Sequence, residues 1–386
     1  MSDLVGKVNR GRILICSATV GSGHNSAASA VERALHREGL GKDLHRVDGL
    51  QFCPRYFRAF YAGGFALMMT RLPWLYGLGF KLTNRPHTPD RGLGERVRLW
   101  HERRALLRFR RYLRDLRPEL IIHTHFLASP VVAWMMDQNR LETTQLVTMT
   151  DIEPHRYWYS ERVNHYFAPH EHTTEMLKRW GIDESRITVS GIPIHGRWTE
   201  PLDVDRIYDD WNLPRDKKIV LFSGGTEFTC GPVVKMCNEI LQARRDTFVV
   251  LLAGRNKKLL SRAARHPEAG NRLMPVGFTD RNHELVEVAE LMVTKAGGIT
   301  TAECLAKGTP MVLYCPVPGQ EGGNARYLAG KDAAVIAPNY SDVAPRVAAM
   351  LDDEQHLFEL RQNARDLYHP ATDLIVEKVR NVLTAD

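Results

Sequence analysis

A short apolar run rich in β-branched residues ends in a glycine turn and passes straight into a helical stretch twice in this chain. That feature restricts the fold more than any other. The first instance is Arg12–Ala18, followed by Val20-Gly21-Ser22-Gly23-His24 and a helix in which Ala27, Val31, Ala34 and Leu35 recur at helical spacing before Gly39. The second is Lys218–Ser223, followed by Gly224-Gly225-Thr226. Further buried strands are predicted at Leu120–His123, Leu146–Thr150 and His165–Ala168, then at Thr247–Ala253, Leu291–Lys295, Pro310–Cys315 and Ala333–Ala337. Short apolar strands alternating with helices imply parallel sheets covered on both faces. The reading is an α/β chain of two doubly wound, Rossmann-like domains facing across a cleft, with ligands at the carboxyl ends of the strands. A length of 386 residues accommodates both. The Pro-, Trp- and acid-rich stretch 195–218 reads as the linker. The domains are then 1–200 and 201–360, with helices in 361–386 packing back toward the first.

Several classes are excluded early. Cys16, Cys53, Cys230, Cys237, Cys304 and Cys315 form no C-x-x-C pair and no apolar leader precedes them, which argues against a structural zinc site or a secreted disulfide framework and favours a reducing cytoplasm. The uncharged apolar stretch Ala59–Thr70 has twelve residues, short of the ~20 that span a bilayer.

Chemistry is expected where strands end. The loop Gly21-Ser22-Gly23 opens a helix whose free N–H groups suit a phosphate or polar substrate, although it lacks the third glycine of a dinucleotide fingerprint and the Lys-Ser/Thr of a P-loop. His24 is the unusual member: either it caps the helix, or it is a titratable group placed for proton transfer. Thr150-Asp151-Ile152-Glu153-Pro154-His155 puts a carboxylate at another strand end, so Asp151 is a general-base candidate or a turn cap. His155 is grouped with Gly21, Ser22 and Gly23 as a loop meeting acceptor or phosphate. His123 and His125 have the spacing of a metal pair without further ligands, and satisfied strand-end residues explain them better.

In the second half, Gly224, Gly225 and Thr226 form either a diphosphate cradle or a plain turn. Lys295-Ala296-Gly297-Gly298-Ile299-Thr300-Thr301-Ala302-Glu303 places an acid one turn into a helix, where two carboxylate oxygens can grip a ribose diol. Pro318-Gly319-Gln320-Glu321-Gly322-Gly323-Asn324 supplies amides and acids that suit sugar hydroxyls.

These motifs, above all Pro318-Gly319-Gln320-Glu321, resemble the monogalactosyldiacylglycerol synthase and processive diacylglycerol glucosyltransferase group of family-28 glycosyltransferases. More distantly they resemble the peptidoglycan lipid II N-acetylglucosaminyltransferase. The resemblance runs from about residue 12 to residue 340. It implies a GT-B fold, a UDP-sugar held by the C-terminal domain, an acceptor held by the N-terminal domain, and inversion at the anomeric carbon without a metal or further cofactor. By the same resemblance Glu303 holds the ribose, Phe278 and Thr279 meet the uracil, and Gly224, Gly225 and Thr226 approach the diphosphate. Gln320 and Glu321 would touch the sugar and can bond either C4 epimer, so UDP-glucose and UDP-galactose both fit. Gly297, Gly298, Thr300 and Asn324 complete the donor set, and Lys295 either joins it or pairs with a nearby acid. An inverting transfer needs a base, which is Asp151 or His24 with His24 central, and helix N-termini to steady the leaving diphosphate.

Residues 52–117 hold fifteen Lys/Arg against four Asp/Glu, a local +11 within a chain of net +7. The aromatic and aliphatic residues between those charges suit an anionic lipid surface, with contacts expected from Arg55, Arg58, Phe60, Phe65, Arg71 and Trp74. Core packing is the rival reading, stronger for 95–117, where Val97, Trp100, Leu107 and Leu113 can form an inward stripe. The acceptor expected is diacylglycerol or a related lipid, at the inner face of the cell membrane. Another acceptor, or nucleotide-sugar 2-epimerisation on the same fold, is the alternative. Nucleic acid is disfavoured, because no helix-turn-helix, zinc finger or RNA-binding signature accompanies the basic block.

Overall fold

The computed structural model describes residues 9–64, 67–68, 72–84, 92–223 and 231–384. The chain divides into two units: one runs through His195 and takes the chain back from His369, and the other is Gly196–Tyr368. The changeovers expected at 200 and 360 thus fall at 195 and 368. Helix Glu354–Asp366 stays with the second unit, and Ala371–Thr384 belongs to the first.

The first unit is built on six parallel strands: β1 (Asn9–Ser17), β2 (Asp43–Asp48), β3 (Pro118–His123), β4 (Thr144–Thr148), β5 (His165–Ala168) and β6 (Ile187–Val189), in the order β2-β1-β3-β4-β5-β6. Alternation along β1 feeds two cores. Ile13 and Ile15 pack with Val31 and Leu35 of helix Gly23–Arg37 and with Ile375 and Val379 of the returning helix. Leu14 and Cys16 pack with Phe109, Leu113, Val131 and Val132 on the opposite face.

The second unit repeats the plan with β7 (Lys218–Ser223), β8 (Thr247–Gly254), β9 (Leu273–Gly277), β10 (Leu291–Thr294), β11 (Met311–Tyr314) and β12 (Ala334–Ala337), all parallel in the order β12-β11-β10-β7-β8-β9. Strand order reverses between β1 and β3 in one sheet and between β7 and β10 in the other. The loops leaving those four strands therefore diverge and leave a crevice at the carboxyl ends within each unit.

Three strands lie outside the expected set, namely β2, β6 and β9, and each is a sheet edge. An edge strand is only partly covered and needs no continuous apolar run. β2 reads Asp-Leu-His-Arg-Val-Asp, β6 has three residues, and β9 contains Pro275, which an edge tolerates. The expected linker is also largely structured. Asp203 caps helix Val204–Asp210 by accepting from Arg206 N at 3.1 Å, and Trp198, Ile207 and Leu213 are buried in the second unit. The inward stripe expected in 95–117 is corrected too. The helix breaks at Leu106, so Leu99, Ala105, Phe109 and Leu113 face the core while Val97, Trp100 and Leu107 are exposed.

Candidate active site

At the first reversal point, β1 leads through Gly21 (φ +87°) and Ser22, the helix N-cap, into Gly23 and His24. The loop is tied down by its own polar groups. Ser17 Oγ donates to Asn25 Oδ1 at 2.7 Å, Asn25 Nδ2 donates to Thr19 Oγ1 at 2.8 Å, and Thr19 Oγ1 donates to Asp48 at 2.6 Å. Across the sheet, Thr124 and Thr150 follow the ends of β3 and β4. His24 Nδ1 lies 2.9 Å from the Thr124 carbonyl oxygen and 3.0 Å from Thr150 Oγ1. A carbonyl oxygen only accepts, so Nδ1 carries the proton and Nε2 keeps the lone pair. Thr124 Oγ1 donates in turn to the His24 carbonyl at 3.0 Å, fixing the residue from both ends. Burial lowers the His24 pKa to about 4, with the Thr124 contact opposing the shift. The imidazole is therefore neutral at physiological pH and presents one basic nitrogen.

His125 stands edge-on to His24 with ring centroids 4.5 Å apart, and Trp158 lies 6.3 Å from each ring. His125 Nδ1 accepts from Leu127 N at 3.0 Å, and burial together with His24 keeps its pKa well below the usual value. His123 is buried against Gln145, with Nε2 3.0 Å from Oε1. Among the described residues no three His, Cys, Asp or Glu side chains converge as a metal site requires. Asp151 follows Thr150 and is half-buried. His155 is placed differently from the expected substrate loop. It is buried, its Nδ1 accepts from Tyr157 N at 3.2 Å and its Nε2 lies 2.9 Å from Thr83 Oγ1, so both nitrogens serve packing and burial lowers its pKa to about 3.

At the second reversal point β10 runs through Lys295 and Ala296 into helix Gly298–Lys307, with Gly297 as N-cap. Thr300 and Glu303 are half-buried on the first turns. Among the described residues nothing hydrogen-bonds the Glu303 carboxyl. Burial raises its pKa to about 8, and Arg197 is the charge opposing the shift. A carboxyl with both oxygens unengaged in a poorly hydrated setting matches the requirement for gripping a diol. Beside β9, Phe278 is 59% exposed with Arg255 stacked 4.6 Å from its ring centroid, leaving aromatic surface for a base. Thr279 Oγ1 accepts from Arg281 N at 3.0 Å and shapes the turn.

After β11, Gly319 adopts φ +107°, a conformation side chains disfavour, and starts helix Gln320–Gly330. Glu321 Oε2 accepts from Val317 N at 3.3 Å. Asn324 is fully buried and donates to the Ala296 carbonyl at 2.9 Å, which joins the two loops. Gly224, Gly225 and Thr226 lie outside the described residues, as do Phe65 and Arg71. Of the other expected surface residues, Arg55 and Arg58 are exposed, Phe60 is 81% exposed and Trp74 65%. Tyr56, Leu75, Leu78 and Leu82 are exposed as well, and no described helix is long and apolar enough to cross a membrane.

Thr124 and Trp158 were not singled out by their local sequence, and Thr150 and His125 drew notice for other reasons than contact with His24. Their position became legible only from the order of strands, because β3 and β4 succeed β1 across the sheet.

Two Rossmann-like units in tandem, each with a polar site at its reversal point, define the GT-B fold. The crystal structure of Acinetobacter baumannii MurG shares this fold, with a TM-score of 0.61 at 17% identity over 96% of this chain and 99% of that one. The family described as monogalactosyldiacylglycerol (MGDG) synthase matches residues 24–194, and the glycosyltransferase family 28 C-terminal domain matches residues 219–377. The chain belongs to family 28, in the monogalactosyldiacylglycerol synthase and processive diacylglycerol glucosyltransferase group. A processive diacylglycerol beta-glucosyltransferase of Bacillus licheniformis is 34% identical over 256 residues, 65% of each chain. Another, of Bacillus subtilis, is 27% identical over 392 residues, 95% of this chain and 94% of its own.

Proposed function

We propose that this glycosyltransferase moves a hexose from UDP-glucose or UDP-galactose to diacylglycerol or a closely related lipid, with inversion and without a metal. The observation that carries the mechanism is the His24 geometry: Nδ1–H held by the Thr124 carbonyl and Thr150 hydroxyl, and Nε2 left as an acceptor. Nε2 takes the proton of the acceptor hydroxyl as its oxygen attacks C1 of the sugar. The C1–O bond to the diphosphate breaks and its electron pair leaves with UDP. Asp151 lies beside this site and steadies the imidazolium that forms. Glu303 grips the ribose, Phe278 and Thr279 meet the uracil, and Gln320 and Glu321 meet the sugar. The N–H groups at Gly297 and Gly298, with Thr300 and Lys295, serve the diphosphate, to which the sequence motif Gly224-Gly225-Thr226 is assigned as well. Gly21, Ser22 and Gly23 border the acceptor.

The acceptor assignment is supported by the names of the relatives and by the exposed Phe60, Trp74, Leu78 and Leu82, in a basic segment that also exposes Arg55 and Arg58. Apolar groups entering the interface with cations at the headgroups suit peripheral attachment to the inner face of the cell membrane. The test is incubation of the protein with diacylglycerol-containing liposomes and radiolabelled UDP-glucose, UDP-galactose or UDP-N-acetylglucosamine in turn. Label entering lipid from one of the two hexose donors is the expected result. Donor binding without lipid product would overturn the acceptor, and absence of donor binding would overturn the reaction.

A further inference from the structure

Arg197 lies in the 3₁₀ turn Gly196–Trp198, which packs on helix Gly298–Lys307. The turn is anchored by Trp198, which is buried with its ring 6.0 Å from that of His283. From there the guanidinium reaches both parts of the nucleoside site described above. Its Nη1 donates to the Asp280 carbonyl at 2.8 Å, at the end of the Phe278-Thr279 loop, and its charge acts on Glu303. Its Nε is sealed from solvent with no hydrogen-bond acceptor.

The surrounding charges are otherwise matched. Asp210 and Glu284 pair with Arg281, Glu287 pairs with Lys307, and among the described residues no carboxylate pairs with Arg197. His283 lies close to Arg197, Glu284 and Lys307, and Cys304 is the titratable neighbour of Glu303. Nη2 of this half-buried cation is neither sealed nor hydrogen-bonded among the described residues, so it is the donor that can meet an arriving acceptor. The acceptors that belong at this point are oxygens of a nucleoside, whose base and ribose would occupy the two elements the guanidinium touches.

We propose that Arg197 is a nucleoside-binding residue of the donor site, donating to an oxygen of the bound uridine and facing the Glu303 carboxylate as that group takes the ribose hydroxyls. This rests on the assignment of Glu303 and the Phe278-Thr279 loop to the donor.

The experiment titrates the full chain, as wild type, Arg197→Gln and Arg197→Lys, with uridine and with UDP-glucose between pH 6 and pH 9, after melting curves confirm that each variant is folded. Arg197→Gln is expected to weaken both ligands by the same factor of about tenfold, the scale of one charge-assisted hydrogen bond. It should also move the pH midpoint of binding upward, while Arg197→Lys, which keeps the charge, restores the midpoint but only part of the affinity. Unchanged affinity and midpoint would overturn the proposal. So would a loss without movement of the midpoint, which marks a structural role, or a loss for UDP-glucose alone, which marks a phosphate contact. If the wild type binds neither ligand, the donor-site assignment itself fails, a result distinct from all of these.

Discussion

Ionisation of Glu303 should control donor affinity. The carboxyl sits in the second unit with a pKa raised to about 8 by burial, whereas a ribose diol offers two O–H donors that only the ionised form accepts with both oxygens. If binding requires the carboxylate, the affinity for UDP-glucose follows the ionised fraction of the free protein. Binding is then about tenfold weaker at pH 7 than at pH 9 and about fiftyfold weaker at pH 6 than at pH 8, with about 0.9 proton released per donor bound at pH 7. UDP-glucose is the suitable ligand because its diphosphate has no proton to lose in this range. Calorimetric titration in two buffers of different ionisation enthalpy reads both quantities. Glu303→Gln should bind weakly and with no pH dependence between 6 and 8. Without donor the same carboxyl acts on the stability of the fold. The folded state holds a proton that the unfolded chain releases above its ordinary pKa of 4.5, so this group's contribution to stability falls as pH rises from 4.5 through 8. A wild-type affinity that stays flat from pH 6 to pH 9 without proton release would refute the reasoning, and so would a pH dependence that survives in Glu303→Gln.

Three further outcomes follow from particular contacts. His24→Ala should lower kcat by about 10²- to 10⁴-fold, the usual worth of a general base, with the donor Kd unchanged. Because burial lowers the His24 pKa to about 4, the acid limb of kcat/KM for the acceptor, read at saturating donor so that Glu303 is already ionised, should fall near pH 4, and a His24-dependent limb near 6.5 would contradict the buried tautomer. Gly191→Ala should destabilise the first unit by about 1–3 kcal/mol, read as a lower Tm. Gly191 has φ +79° and a Cβ there would stand 2.7 Å from the His369 carbonyl oxygen, whereas Gly181→Ala, at φ +87° with open space, isolates the backbone cost alone. Replacing Arg55 and Arg58 by Gln should weaken sedimentation with vesicles of phosphatidylcholine and phosphatidylglycerol by about thirtyfold, taking ~1 kcal/mol per cation. Unaltered sedimentation would count against that surface as the membrane contact.

The strands that carry the sites were legible because a central parallel strand is buried on both faces and must be written in apolar residues. β1, β3, β7 and β10 all announce themselves this way. The edges β2, β6 and β9 do not, since one flank of each lacks a pairing partner and their composition is free to be polar, short or interrupted by Pro275. The same logic governs the site residues. His24 and Glu303 stood out locally as titratable groups at glycine turns. His155 and Asn324 looked equivalent in sequence, yet they turn inward to hold Tyr157 N and the Ala296 carbonyl.

What local pattern cannot express is pairing across the sheet. The atom that sets the tautomer of His24 belongs to Thr124, one hundred residues away, and the second partner belongs to Thr150. Both meet His24 because β1, β3 and β4 are consecutive in the sheet although far apart in the chain. Arg197 was hidden for the opposite reason: its neighbourhood of Pro, Trp and acids has the composition of a linker, while Trp198 and Ile207 bury themselves and fix the turn in place. A basic nitrogen at His24 is thus a consequence of strand order rather than of the loop that carries it. Substituting Thr150, whose own segment contains no glycine turn, should therefore alter the pH dependence of a reaction centred on the other end of that hydrogen bond.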